Sequence, residues 1–150
     1  MCKIGDILVI YNPTVNNKPI GRHAFIVLDD SNGVVSGMFE YDFISLLLTS
    51  YKDNDEARKE RLSKWEGNLH ITKADKILYS ENSNIDNRNS FVEANNFFYF
   101  SKDKISFKKI GQIDPDVFEI IIEFIEELNK KGVVFNRIID KARQIEPLTE

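Results

Sequence analysis

Cysteine, histidine and long apolar runs are all scarce in this chain, and each scarcity excludes something. There is one cysteine, Cys2, so no intrachain disulfide forms and a zinc site built from several cysteines is out. The two histidines, His23 and His70, stand far apart, and no paired short spacing of the HExxH kind occurs. No window approaches the ~18 apolar residues of a membrane span. The start, Met1-Cys2-Lys3-Ile4-Gly5-Asp6, has neither a long apolar segment nor a cleavage pattern. A cytoplasmic protein without membrane contact is expected. Basic charge is also short: 20 Lys and Arg against 24 Asp and Glu leave a net charge of −4. That excludes a global basic field, though not a local basic cleft. Asp29, Asp30 and Asp42 are the carboxylates a metal could use, but Asp29-Asp30 ahead of Ser-Asn-Gly reads better as turn chemistry. No metal and no cofactor are expected.

What is present suits one folded unit. With 150 residues, 42% hydrophobic and 29% charged, the chain is long enough to bury a core as a single domain, 1–150. Residues 5–11 are apolar at nearly every position, as in a strand covered on both faces. Residues 12–21 hold two prolines and three asparagines and read as a long loop. Residues 22–29 form a second strand, and Asp30-Ser31-Asn32-Gly33 signals a hairpin turn. Apolar residues continue through 34–39 and 43–51. Residues 52–66 are a charged insertion, a short helix capped by Asn54 with Leu62 and Trp65 on one stripe, and read as a solvated surface rather than a site. Strands are expected at 68–72, 76–80, 91–100 and 104–110, the last ended by Gly111. Asp114 caps a helix with Pro115 at its first position and Lys130-Lys131-Gly132 at its stop. A further helix is expected at about 137–146. Strands first and helices last predict an α+β fold, a small, strongly curved antiparallel barrel with a packed helix.

Two stretches could carry chemistry. Arg22 opens the second strand, and Thr49-Ser50 closes another. A guanidinium fork gives two hydrogen bonds to an anionic oxygen, and a hydroxyl adds a third. Read one at a time, an arginine at a strand edge is more often an ion-pair partner, and Thr-Ser more often a strand end. The other reading is a cysteine or serine hydrolase. Gly5-Asp6-Ile7 followed by His23-Ala24-Phe25-Ile26-Val27-Leu28 looks like the papain-like NlpC/P60 domains, with Cys2 as the thiol for His23 to activate.

A second resemblance covers more of the chain. Gly5-Asp6-Ile7-Leu8-Val9-Ile10, then Gly21-Arg22-His23-Ala24-Phe25-Ile26-Val27-Leu28, then Leu47-Leu48-Thr49-Ser50, resemble the MazF/PemK family of toxin–antitoxin ribonucleases. Asn68-Leu69-His70-Ile71 is similar to the next family strand. Ser90 to Asn95 is similar to the segment where an exposed serine precedes a paired strand. Lys109-Ile110-Gly111 and the Asp114 helix are similar to its close. The resemblance spans roughly residues 4–130, and it implies an SH3-like barrel with a C-terminal helix, a homodimer and a cognate antitoxin partner. It implies metal-independent cutting of single-stranded RNA by 2′-hydroxyl attack on the adjacent phosphorus. Arg22 and Thr49 take the catalytic positions. Tyr11, Asn12, Lys18, Ser50, Tyr51 and Lys52 are the candidates for holding RNA, with the loop from Asn12 to Gly21 as a lid. His23 stands where the family usually has proline. Strand alternation turns it away from Arg22, which suits a scaffold role. A MazF-like fold that binds without cutting is the alternative within this resemblance.

Overall fold

The early apolar runs become the central strands of one sheet. The computed structural model describes residues 2–11, 14–15, 18–19, 23–35, 37, 39–79, 88–139 and 144–147. In chain order these form β1 (Asp6–Tyr11), β2 (Thr14–Val15), β3 (Lys18–Pro19), β4 (His23–Asp29), β5 (Gly33–Val35), β6 (Phe39–Tyr41) and β7 (Phe43–Ser50). Then come α1 (Glu56–Ser63), β8 (Asn68–Ile71), β9 (Lys76–Leu78), β10 (Ser90–Glu93), β11 (Asn96–Phe100), β12 (Ser106–Ile113), α2 (Pro115–Lys130), β13 (Asn136–Ile139) and β14 (Gln144–Pro147). The architecture is α+β: a strongly curled, largely antiparallel sheet with two helices among the described residues.

β1 lies between β4 and β12, and β4 lies between β1 and β7. β7 is shared. Its second half, Leu48 to Ser50, pairs with β10, and its first half, Phe43 to Ser45, pairs with β11. Outside β10 comes β8, and outside β11 comes β13, so the sheet forks there. At the other side β12 pairs with β9. Only residues 72–75 separate β8 from β9. The chain therefore crosses between opposite ends of the strand order within one 3₁₀ turn at Lys73–Asp75. The Asp75 carboxylate accepts from the Thr72 amide at 2.7 Å and from its hydroxyl at 3.0 Å, which fixes the turn. β9 comes so close to β12 that a Cβ on Gly111 would stand 2.2 Å from the Ile77 carbonyl oxygen. That contact explains a glycine inside β12, which runs on to Ile113 instead of ending at Gly111.

Alternation sends β1 into two cores. Leu8 and Ile10 join Phe25, Phe43 and Phe100 on one face, while Ile7 and Val9 join Ile26, Leu46 and Ile121 on the other. Both faces are covered, which is why these strands carry unbroken apolar runs. α2 covers the second face, burying Ile121 and Leu128 and leaving Ile120 exposed. Its ends follow the sequence: the Asp114 side chain accepts from the Asp116 amide at 2.8 Å, and Gly132 has φ +77 just past the last turn.

Several expectations give way. The helix at 137–146 is replaced by β13 and β14, which pair with each other. Ile138 and Ile139 are adjacent, β-branched and both buried, and β13 runs parallel to β11, so burial on two sides decides for a strand. The loop at 12–21 contains a small ribbon in which Thr14 faces Pro19. Asn32-Gly33 does not join a hairpin to β4. β5 pairs with β6 instead, and the Asp29 carboxylate accepts from the Ser31 amide at 2.8 Å. α1 is capped by Asp55, whose side chain accepts from the Arg58 amide at 3.1 Å, rather than by Asn54. Among the described residues, no helix is long and apolar enough to cross a membrane.

Candidate functional site

β1 ends, β4 begins and β7 ends at one edge of the sheet. Ile10 pairs with His23, and Ala24 with Leu48. Tyr11, Thr49 and Ser50 thus share that edge, with Tyr11 exposed and the two hydroxyl residues half-buried. Arg22 and Asn12 lie outside the described residues, and Lys18 stands on β3. Lys52 is exposed just beyond β7.

Thr49 and Ser50 do not act as a pair, because consecutive strand residues point to opposite faces. The Thr49 hydroxyl donates to Glu93 Oε2 at 2.9 Å. Asn96 Nδ2 donates to Glu93 Oε1 at 3.0 Å, and Asn136 Nδ2 donates to Asn96 Oδ1 at 2.9 Å. Ser50 turns the other way, its hydroxyl 3.0 Å from that of Ser90. Ser90 is fully buried inside β10, not exposed ahead of it, because β7 and β8 flank it on both sides. The Lys76 ammonium donates to Ser90 Oγ at 2.9 Å and to the Arg88 carbonyl at 2.6 Å, so this largely buried cation is held by hydrogen bonds. Arg58 of α1 donates from Nε to the Ser50 carbonyl at 2.9 Å, tying the helix to the end of β7.

Tyr51 is only 4% exposed. Its ring packs with His70 and Phe91, and its hydroxyl lies 2.6 Å from His70 Nε2. A ring so enclosed offers no platform for an RNA base, which leaves Tyr11 as the open tyrosine of the two candidates. Packing against Tyr51 and Phe91 desolvates the His70 ring and lowers its pKa from 6.5, with the Lys59 charge adding to the effect and Asp75 opposing it. His70 is then neutral at neutral pH, with Nε2 able to accept from Tyr51. Below pH 6.5 the unfolded chain takes up a proton that the folded one resists, so the contribution of His70 to stability is full above 6.5 and is lost as pH drops toward the lower folded value. In urea unfolding at pH 7 and pH 5, His70→Gln is expected to lose less stability between the two than the parent protein.

Cys2 is buried among Leu8, Ile10 and Phe25, and burial pushes its thiol up from 9.0, ahead of the opposing Lys102 charge. A cysteine nucleophile needs the reverse, a lowered pKa and access. Asp42 is used within the fold, accepting from the Lys102 amide at 2.7 Å. Among the described residues, no group of three or more His, Cys, Asp or Glu side chains could hold a metal.

A cavity of about 660 Å³ lies in the fork of the sheet, with Glu93, the acceptor for Thr49, in its lining. Trp65, Asn68, Glu93, Asn95, Asn96 and Asn136 line it. In the sequence Trp65 belongs to a charged, solvated insertion, and these asparagines carry no site signal. Each asparagine alone reads as turn chemistry, and only pairing between distant strands gathers them. No protein-family model matches the chain, and no curated protein matches it either.

Proposed function

We propose that this protein is a MazF/PemK-type endoribonuclease with an SH3-like barrel. It acts as a homodimer and is held in check by a cognate antitoxin. The observation that carries this reading is the pairing of β4 with β7. Ala24 faces Leu48, so Thr49 stands one residue past that pair on β7, and Arg22 two residues before it in the sequence that leads into β4. These are the two residues that the family resemblance marks as catalytic, and β4 begins at the edge of the sheet where β7 ends.

The chemistry uses charge and hydrogen bonds alone. The 2′-oxygen forms a bond to phosphorus, the bond from phosphorus to the 5′-oxygen breaks, and the departing 5′-oxygen takes a proton from water. Arg22 stabilises the charge that gathers on the phosphorane, since a guanidinium stays protonated and cannot serve as the base. Thr49 holds a non-bridging oxygen, exchanging Glu93 for the phosphate as its acceptor. Glu93, already bonded to Thr49, is the carboxylate that takes the 2′-hydroxyl proton. The enclosed Tyr51 leaves stacking to Tyr11.

The test is a mixture of single-stranded RNAs incubated with the purified protein in EDTA. The expected products carry a 2′,3′-cyclic phosphate on one fragment and a 5′-hydroxyl on the other. Intact RNA would sink this reading and leave a MazF-like fold that binds without cutting.

A further inference from the structure

We infer that the cavity in the sheet fork is a pocket for one unpaired RNA base whose Watson–Crick edge sets an amino group beside an acceptor ring nitrogen, adenine or cytosine, next to the phosphate that is cut. This rests on the ribonuclease reading above and adds how the substrate is chosen. Three strands open on an asparagine at this cavity: Asn68 begins β8, Asn96 begins β11 and Asn136 begins β13. They converge because β10 and β11 are broken at Ala94-Asn95, and β8 and β13 diverge from that break. Backbone bonds pin both sides of the break: the Ala94 amide donates to the Gly67 carbonyl at 2.8 Å, and the Asn136 amide to the Asn95 carbonyl at 2.8 Å.

The amides are held in place before any ligand arrives. Asn68 Nδ2 donates to the Leu62 carbonyl at 2.9 Å, and Asn95 Nδ2 to the Val134 carbonyl at 3.2 Å. Asn136 is fixed by its bond to Asn96, and Asn96 by its bond to Glu93. Each side-chain amide has two N–H groups and a carbonyl oxygen with two lone pairs, so the one or two bonds that fix it leave others to pair. An amide presents a donor beside an acceptor, the arrangement that meets the amino group and ring nitrogen of adenine in two hydrogen bonds, and a carboxylate accepts from the amino group of cytosine. Trp65 is 67% exposed at the rim, where an indole supplies a stacking face.

Charge decides which part of a nucleotide enters. Among the described residues the lining holds two carboxylates, Glu66 and Glu93, and no lysine or arginine. A phosphate is repelled there, whereas an exocyclic amine is attracted. Uracil lacks that amine and pairs less well. Glu93 belongs to both places, because one oxygen accepts from Thr49 and the other from Asn96. A base in the fork therefore puts its own phosphate toward the edge where Thr49 lies.

The chain has a single tryptophan, so its fluorescence reports on this rim alone. The full chain would be titrated with AMP, CMP, UMP, glucose and inorganic phosphate. AMP and CMP are expected to quench Trp65, with UMP at least about ten-fold weaker, the size of one lost paired contact. Glucose and phosphate are expected to leave it unchanged. Asn136→Ala and Asn68→Ala, each shown folded by a thermal melt, are expected to weaken the AMP response by about ten-fold. Quenching by glucose, equal quenching by UMP, or no response to AMP and CMP would overturn the pocket. Loss of the response with RNA still cut would remove the pocket and leave the ribonuclease reading. A response with RNA left intact would keep the pocket and remove the cutting.

Discussion

Arg22→Ala is expected to lower the rate of single-stranded RNA cutting by about 10³-fold, and Thr49→Val by about 10²-fold, without unfolding the protein. The larger effect falls on Arg22 because it carries full charge to a centre that gains charge in the transition state. Arg22→Lys is expected to recover only part of the rate, since an ammonium keeps the charge but not the two-pronged donor geometry. Thr49→Val keeps the branched shape on β7 and removes one hydroxyl. It leaves Glu93 with its Asn96 bond, and Thr49 is half-buried, so water can replace the lost donor. Single-turnover cleavage of a labelled RNA in EDTA separates the outcomes. Parent-like rates in both variants would end the assignment of these residues, whatever the melting curves show.

Phe25→Ala is expected to destabilise the fold by about 3–5 kcal/mol. Phe25 is fully buried on β4, the strand between β1 and β7. Its ring meets Phe98 edge-on at 5.1 Å and Phe100 edge-on at 5.2 Å, so truncation opens a cavity and breaks two aromatic contacts. Against a total stability of about 5–15 kcal/mol, this removes a large share of what holds the sheet. The melting temperature is expected to fall on the order of 10 °C. Phe25→Leu, which keeps most of the volume, is expected to lose well under half as much. A melting temperature within about 2 °C of the parent for Phe25→Ala would mean that this aromatic cluster does not hold β4 in place.

The sequence reveals local signals and conceals assembled ones. β1, β4 and β7 are legible because covered strands need unbroken apolar runs, and α2 because its cap, first proline and terminal glycine are adjacent in sequence. Chain position cannot show that β10 and β11 both pair with β7, or that β13 joins parallel to β11. Ile138 and Ile139 fit a helix or a strand until the neighbour is known. Asp6 reads as part of a family motif. In the fold it is a fully buried carboxylate that accepts from the Lys3 amide at 2.8 Å and meets the Lys109 ammonium at 3.2 Å. Thr49 is legible as a candidate, but its partner Glu93 is 44 residues away. Ser50 looks equivalent to Thr49, and only alternation along β7 separates them.

The pairing of β1 with β12 sets the order in which this protein can be made. Asp6 pairs with Gln112, and their side chains lie 3.4 Å apart across 106 residues of chain. During synthesis β1 finds β4 early, since Ile7 meets Ile26, but its other edge stays open until β12 has left the ribosome. Thr49 likewise waits for β10 to bring Glu93. A long loop closed this late slows folding and leaves an exposed strand edge on the nascent chain. A chain halted before Ser90 holds Arg22 and Thr49 in sequence but lacks the strand that positions the threonine. The edge is assembled only after β10 and β12 have both been made.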